Sequence, residues 1–111
     1  AALQAQLAFN GTAALDNLHT VRPVVVTEWG FRRHTTEHFQ GTPQSFGIPF
    51  MGFVNPRSLH WTAWLWHAAD EYGLPLLGGP GVVPNRNDWC RPSEYGAFVL
   101  QQLGAPTPVC R

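Results

Sequence analysis

Two apolar runs, separated by polar and turn-rich sequence, stand out in the hydrophobic pattern of this chain. The first, residues 24–26, is a triplet of β-branched valines. Because its apolar positions are unbroken rather than alternating, it predicts a strand over residues 23–28 that is covered on both faces, as in a parallel sheet. Residues 60–66 form a second run rich in β-forming side chains. The stretch between the two runs is long enough for one crossover helix, which predicts a βαβ unit.

Helical patterns flank and separate these strands. Pro49 falls in the first turn of the helix predicted between them, where its missing N–H costs little. In the helix that follows the second strand, Tyr95, Phe98, Val99 and Leu103 share one face, and Gly104 closes it. The predicted helices span residues 2–9, 12–18, 46–54 and 93–103.

Glu28 marks the end of the first strand as a candidate active site. In parallel α/β folds, active sites lie at the carboxyl ends of the strands, and Glu28 stands there beside Trp29. Trp64 belongs to the second strand. The alternatives are a solvated edge carboxylate at Glu28 and ordinary packing of Trp29 and Trp64 against the helices.

Four motifs in order give the chain a family resemblance. "PVVVTEWG", "HWTAWLW", "GLPLL" and "DWCRPSEYGAFVLQQLGA" resemble the end of a glycoside hydrolase family 5 enzyme, a cellulase-like member of clan A. The resemblance covers residues 20–104 and implies an α/β fold, a partial (β/α)8 TIM barrel comprising β7-α7-β8-α8 of that family. A whole barrel needs about 250 residues, so 111 residues would form its C-terminal fragment, with residues 1–19 as a helical lead-in and 105–111 as a tail.

The resemblance also implies a function. It assigns Glu28 as the nucleophile of a retaining glycosidase that acts on O-glycosyl bonds of a β-glucan or related polysaccharide. Trp64 matches the sugar platform next to the cleaved bond, and Trp29 is a further substrate-binding candidate. Retaining enzymes need two carboxyl groups, and the Asn-Glu dipeptide that carries the family's acid/base is missing here. We therefore expect the chain to be inactive alone and to need, besides an oligo- or polysaccharide, the missing N-terminal barrel segments as partners.

Two other functions stay open. The chain could be a non-catalytic carbohydrate-binding or structural remnant, which has the tryptophans but no acid/base. His34, Glu37 and His38 fit the H-x-x-E-H pattern of a zinc-dependent hydrolase. Because Thr35 and Thr36 form helices poorly and the pattern needs a helix, this function ranks below the other two. We expect no cofactor and no metal.

Charge and cysteine content restrict the setting in which the chain works. Formal net charge is zero and only 13% of residues are charged, so a basic surface for nucleic acid is not expected. No apolar run approaches the ~18 residues of a membrane span. Cys90 and Cys110 are an even pair that suits a disulfide, although two free thiols remain an alternative. A disulfide would indicate an extracellular protein.

Overall fold

The computed structural model describes residues 18–33, 40–68, 74–81 and 85–110. The lead-in helices predicted over residues 2–9 and 12–18 lie outside this part of the chain, apart from Leu18. In chain order the elements are strand β1 (Val25–Val26), a π-helical turn (Pro43–Gly47), helix α1 (Ile48–Val54), strand β2 (His60–Trp61) and helix α2 (Glu94–Gln102).

The two strands form a parallel pair, as the βαβ prediction requires. Val25 lies opposite His60, and Val26 lies opposite Trp61. The His60 N–H donates to the carbonyl oxygen of Val24 at 3.2 Å, and the Thr62 N–H donates to that of Val26 at 3.0 Å. Helix α1 lies in the crossover between the strands, so the carboxyl ends of β1 and β2 meet at one edge.

The predicted fold class, a partial (β/α)8 TIM barrel, is wrong. The described residues form two short helices and a sheet of two strands with two residues each, where strands over residues 23–28 and 60–66 were expected. Val25 is 52% exposed, so β1 is not covered on both faces. The physical reason is that β-branched side chains favour a strand mainly through burial against neighbours, and in the described residues each strand has one partner only.

The core is an aromatic cluster that begins after β1 rather than on it. The Trp29 ring stacks on Phe50 with centroids 4.6 Å apart, and edge-to-face contacts join it to Trp61 at 5.3 Å and Tyr95 at 5.4 Å. Aromatic rings bury large areas and favour these geometries. The cluster of buried side chains comprises Trp29, Phe31, Phe50, Met51, Val54, Leu59, Leu74, Leu76, Tyr95, Phe98 and Val99.

Local signals set the limits of α1 close to the predicted ones. Thr42 and Ser45 form a capping box, in which each side-chain oxygen accepts the backbone N–H of the other residue at 3.1 and 2.9 Å. The π-helical turn follows, and Pro49 lies in the first turn of α1 as expected. The helix ends at Val54, before Asn55. Its apolar face is buried in the aromatic cluster.

Helix α2 is closed at both ends by side-chain or backbone hydrogen bonds. The Ser93 hydroxyl accepts the Gly96 N–H at 3.0 Å and donates to the Pro75 carbonyl at 2.7 Å. At the other end Gly104 has a φ of 63° and completes a Schellman motif. Leu103, predicted on the buried face, is 62% exposed, because it caps the helix and no longer follows its periodicity.

A disulfide joins Cys90 to Cys110, with their Cα atoms 5.7 Å apart. It ties the residues before α2 to the segment after it and excludes the alternative of two free thiols. Within the described residues, no helix is long and apolar enough to cross a membrane.

Candidate functional site

Glu28 lies on the exposed surface, two residues beyond β1. In the described part of the chain its carboxylate makes no hydrogen bond or ion pair. The backbone on either side is held firmly, however. The Thr27 carbonyl accepts the Thr62 hydroxyl, and the Trp29 carbonyl accepts the Trp64 N–H at 3.1 Å. The end of β1 is thus fixed to the continuation of β2, while the carboxylate is open to solvent.

Trp64 lies on that continuation, three residues beyond β2. Exposure alternates along it: Trp61 and Ala63 are half-buried, whereas Trp64 is 45% exposed and Trp66 is 71% exposed. The Trp64 N–H bond to the Trp29 carbonyl places its backbone beside the residue that follows Glu28. The predicted carboxylate and the predicted sugar platform therefore follow the carboxyl ends of two neighbouring parallel strands.

Trp29, the third predicted site residue, lies inside the aromatic core and is only 6% exposed. Phe50 covers its ring by stacking, and Tyr95 contacts it edge to face. Its indole N–H is buried and makes no hydrogen bond among the described residues. These contacts support packing between the strand end and both helices. Substrate contact by Trp29 stays a prediction, and it would require the aromatic cluster to open.

Tyr95 is a positioning residue that the sequence did not reveal. Its hydroxyl donates to the Trp29 carbonyl at 2.6 Å, so this oxygen accepts from both α2 and the segment after β2. A Cβ added at Gly30 would lie 3.0 Å from the Tyr95 ring and 2.7 Å from a Leu74 methyl group, which shows how closely the elements meet here. Sequence periodicity predicts that the Tyr95 ring is buried. It carries no signal for the partner of the hydroxyl.

Tyr95→Phe is expected to lower the free energy of unfolding by about 1 kcal/mol at neutral pH, the usual contribution of one buried hydrogen bond. The loss is moderate because the Trp64 N–H still satisfies the Trp29 carbonyl. Urea unfolding followed by circular dichroism measures it. An unchanged midpoint would contradict this role for the hydroxyl.

The same variant has a pH signature. Burial raises the pKa of Tyr95 above its ordinary value near 10. Above about pH 10 the unfolded chain releases this proton and the folded chain keeps it, so the free energy of unfolding falls as pH rises. Tyr95→Phe should remove this contribution, which makes its unfolding midpoint less sensitive to alkali between pH 9 and 11. If the unfolding midpoints of the wild type and Tyr95→Phe change equally with pH, the prediction that the buried Tyr95 hydroxyl causes this pH dependence is wrong.

A polar cleft of about 270 Å³ lies between the Phe31–Arg33 segment and the start of α2. Arg33 and Glu94 pair across it in a two-bond contact, and the hydrogen bond to Glu94 raises the pKa of Arg33. Both side chains are well exposed, so the pair contributes little to stability. The charges of Arg33 and Glu94 neutralise each other within the pair, and Arg32 is a further charged residue that lines the cleft.

The residues of the zinc hypothesis, His34, Glu37 and His38, lie outside the described residues. Within the described ranges, no group of three or more His, Cys, Asp or Glu side chains is arranged to hold a metal ion. The zinc hypothesis therefore stays a prediction from the motif alone.

Comparison with known proteins adds no relative. No family model, no curated protein and no solved structure matches this chain. The resemblance to glycoside hydrolase family 5 consequently rests on the four sequence motifs, and the functional argument rests on the site geometry.

Proposed function

We propose that this chain supplies the nucleophile and a sugar platform of a retaining glycosidase that acts on O-glycosyl bonds of a β-glucan or related polysaccharide. The observation that carries the proposal is the placement of Glu28 and Trp64. Both follow the carboxyl ends of neighbouring parallel strands, and the Trp64 N–H bond to the Trp29 carbonyl holds their segments together.

The reaction would begin with attack of a Glu28 carboxylate oxygen on the anomeric carbon of the sugar. A C–O bond forms to Glu28 while the glycosidic C–O bond breaks, and the departing oxygen must receive a proton. The exposed carboxylate of Glu28 is accessible to a substrate. Water then hydrolyses the glycosyl ester and returns the carboxylate.

Retaining glycosidases use a second carboxyl group to protonate the departing oxygen, and the other carboxyl groups of the described residues are already engaged. Besides Glu28, their carboxylates are Asp88 and Glu94, and these are ion-paired with Arg91 and Arg33. The Arg91 N–H lowers the pKa of Asp88, which opposes a role for that carboxyl group as an acid. We therefore expect the chain alone not to turn over ordinary glycosides, and the acid to lie outside the described residues.

Trp64 supports the sugar side of the proposal. Pyranose rings present apolar C–H faces, and an indole offers a broad apolar surface that gains free energy when water is removed from it. At 45% exposure Trp64 keeps much of its ring available. Its backbone N–H donates to the carbonyl of Trp29, the residue after Glu28, and the proposal therefore takes a sugar on the indole to meet the carboxylate.

The test uses a substrate that needs no acid. In a dinitrophenyl 2-deoxy-2-fluoro-β-glucoside, the dinitrophenolate departs without protonation. A competent nucleophile should therefore retain the fluoroglucosyl group as a covalent adduct. We expect intact-mass analysis to show one added fluoroglucosyl group, and peptide mapping to place it on Glu28. Glu28→Gln is the control and should stay unlabelled. No adduct, or an adduct on another carboxylate, would contradict the proposed nucleophile.

A second candidate function is carbohydrate binding without catalysis. The observation that favours it is the exposure of Trp64, together with a Glu28 carboxylate that makes no hydrogen bond among the described residues. A chain that binds β-glucan oligosaccharides through Trp64 but never forms the fluorosugar adduct would fit this function and exclude the first.

The disulfide bears on where the chain works. Disulfides persist in oxidising compartments and are rare in the cytosol, and Cys90 and Cys110 are bonded. We propose an extracellular location, where an enzyme would also encounter polysaccharide substrates.

A further inference from the structure

Trp89 is a large apolar side chain that is 54% exposed on a firmly held turn. The Asp88 carboxylate accepts the backbone N–H groups of Cys90 at 3.3 Å and Arg91 at 2.9 Å. The Arg91 side chain donates to the same carboxylate at 2.6 Å. Cys90 is in addition tied to Cys110 by the disulfide. An indole with so much exposed area on a restrained backbone binds a ligand with little further loss of entropy.

His67 connects this turn to the segment that carries Trp64. Its ring contacts the Trp89 ring edge to face, with centroids 4.9 Å apart. The His67 N–H donates to the Leu65 carbonyl at 2.9 Å, and the Leu77 N–H donates to the His67 carbonyl at 3.0 Å, so the position of His67 is well defined. From Trp64 to His67 the chain spans at most ~10 Å, at ~3.3 Å per residue. This separation lies within the length of one extended oligosaccharide.

The charges around Trp89 favour a neutral ligand. Asp88 and Arg91 form an ion pair, and the Arg91 N–H lowers the pKa of Asp88, so the carboxylate stays ionised and its charge stays balanced. The turn thus offers an apolar ring, the edge of an imidazole and a balanced ion pair. Apolar C–H faces with hydroxyl groups at their rim, as in a pyranose, match this combination.

We propose that Trp89 and His67 form a second saccharide-binding platform, which extends the one at Trp64 along a bound β-glucan chain. This inference rests on the proposed function, because it takes the ligand of Trp64 to be a saccharide. It predicts that long oligosaccharides contact both indoles, whereas a disaccharide contacts Trp64 alone.

The experiment compares β-1,4- and β-1,3-linked glucose pentamers with the matching dimers by isothermal titration of the disulfide-bonded chain. Trp89→Ala should weaken binding of at least one pentamer about tenfold or more and leave dimer binding unchanged. Trp64→Ala should weaken both lengths. Trp66→Ala is the matched control, since Trp66 is exposed still further and lies outside the proposed platform. Thermal melts of each variant confirm that it is folded.

The outcomes separate the two proposals. Equal pentamer affinity in Trp89→Ala and wild type, with a loss in Trp64→Ala, would overturn the second platform and leave the proposed function standing. Equal losses in Trp89→Ala and Trp66→Ala would show unspecific contact and overturn it as well. Binding of neither pentamer by the wild type would overturn both. If Trp89→Ala fails to fold, Trp89→Leu, which keeps an apolar side chain without the flat ring, must show the same selective loss.

Discussion

Gly96→Ala is expected to lower the free energy of unfolding by at least about 3 kcal/mol, the upper end of the usual cost of overpacking. A Cβ at this position would lie 1.9 Å from the Leu76 carbonyl oxygen and 2.8 Å from its carbonyl carbon. Both are backbone atoms and cannot turn aside as a side chain can. Helix α2 would have to move away from the segment that contains Leu76.

That movement would spread to the candidate site. The Leu76 carbonyl accepts the Ser93 N–H at 2.9 Å, and the Leu76 N–H donates to the Leu65 carbonyl at 3.0 Å. Leu65 follows Trp64 directly. If the proposed function holds, any folded fraction of Gly96→Ala should bind β-glucan oligosaccharides more weakly than the wild type, through this displacement of the segment after Trp64.

Gly52→Ala is the matched control. Gly52 lies on the exposed side of α1, and a Cβ there would meet nothing within 4 Å. Alanine in a helix interior is more favourable than glycine by about 0.5–1 kcal/mol, so this variant should be slightly stabilised. Urea unfolding of both variants measures the difference in their free energies of unfolding, provided that their m-values agree. Similar stabilities for the two would contradict the close approach of α2 to Leu76.

Loss of the disulfide should have the second large effect. Cys90 and Cys110 are 20 residues apart in sequence, and a cross-link that closes a loop of this size stabilises the folded state by about 3 kcal/mol through the entropy of the unfolded chain. Replacing both cysteines by serine should lower the free energy of unfolding by that amount. Native small domains have only ~5–15 kcal/mol of stability, so the variant will be marginal.

The bridge also holds the C-terminal segment against the fold. Pro108, two residues before Cys110, lines an apolar groove together with Trp66 and Leu100. In the Cys90→Ser/Cys110→Ser variant the segment with Pro108 is no longer held against the groove. We therefore expect the variant to bind more of an apolar fluorescent dye. A dithiol reductant should lower the stability of the wild type to that of the double variant and leave the variant unchanged. If wild type and variant unfold at the same urea concentration, the bridge has no stabilising role.

Several local features of this protein follow from sequence alone. The limits of α1 depend on Pro49 and on the Asn55-Pro56 pair, and the end of α2 depends on Gly104. These signals act within a single turn, so they need no tertiary information. The parallel pairing of β1 and β2 was also predictable, because the spacing leaves room for one crossover helix between the strands.

The candidate site was predictable only in part. The order of the motifs indicated that Glu28 and Trp64 follow two parallel strands, and the structure brings their segments together. The role of Tyr95 could not be foreseen, because its hydroxyl pairs with a carbonyl 66 positions away. The exposed Trp89 was likewise hidden, since the motif does not reveal which side of a turn remains uncovered.

Sequence by itself determined several short-range features: the limits of α1, the end of α2 at Gly104, the order of the strands and the even pair of cysteines. Tertiary structure alone decided how long the strands are, which indoles are buried and which group accepts the hydrogen bond of the buried Tyr95 hydroxyl. The run Val24–Val26 was predicted to be a buried strand, yet Val25 is exposed. Trp29 was predicted to be a site residue, yet it lies in the core. The physical reason is that β-structure and burial depend on neighbours distant in sequence, while caps and helix ends depend on residues within one turn.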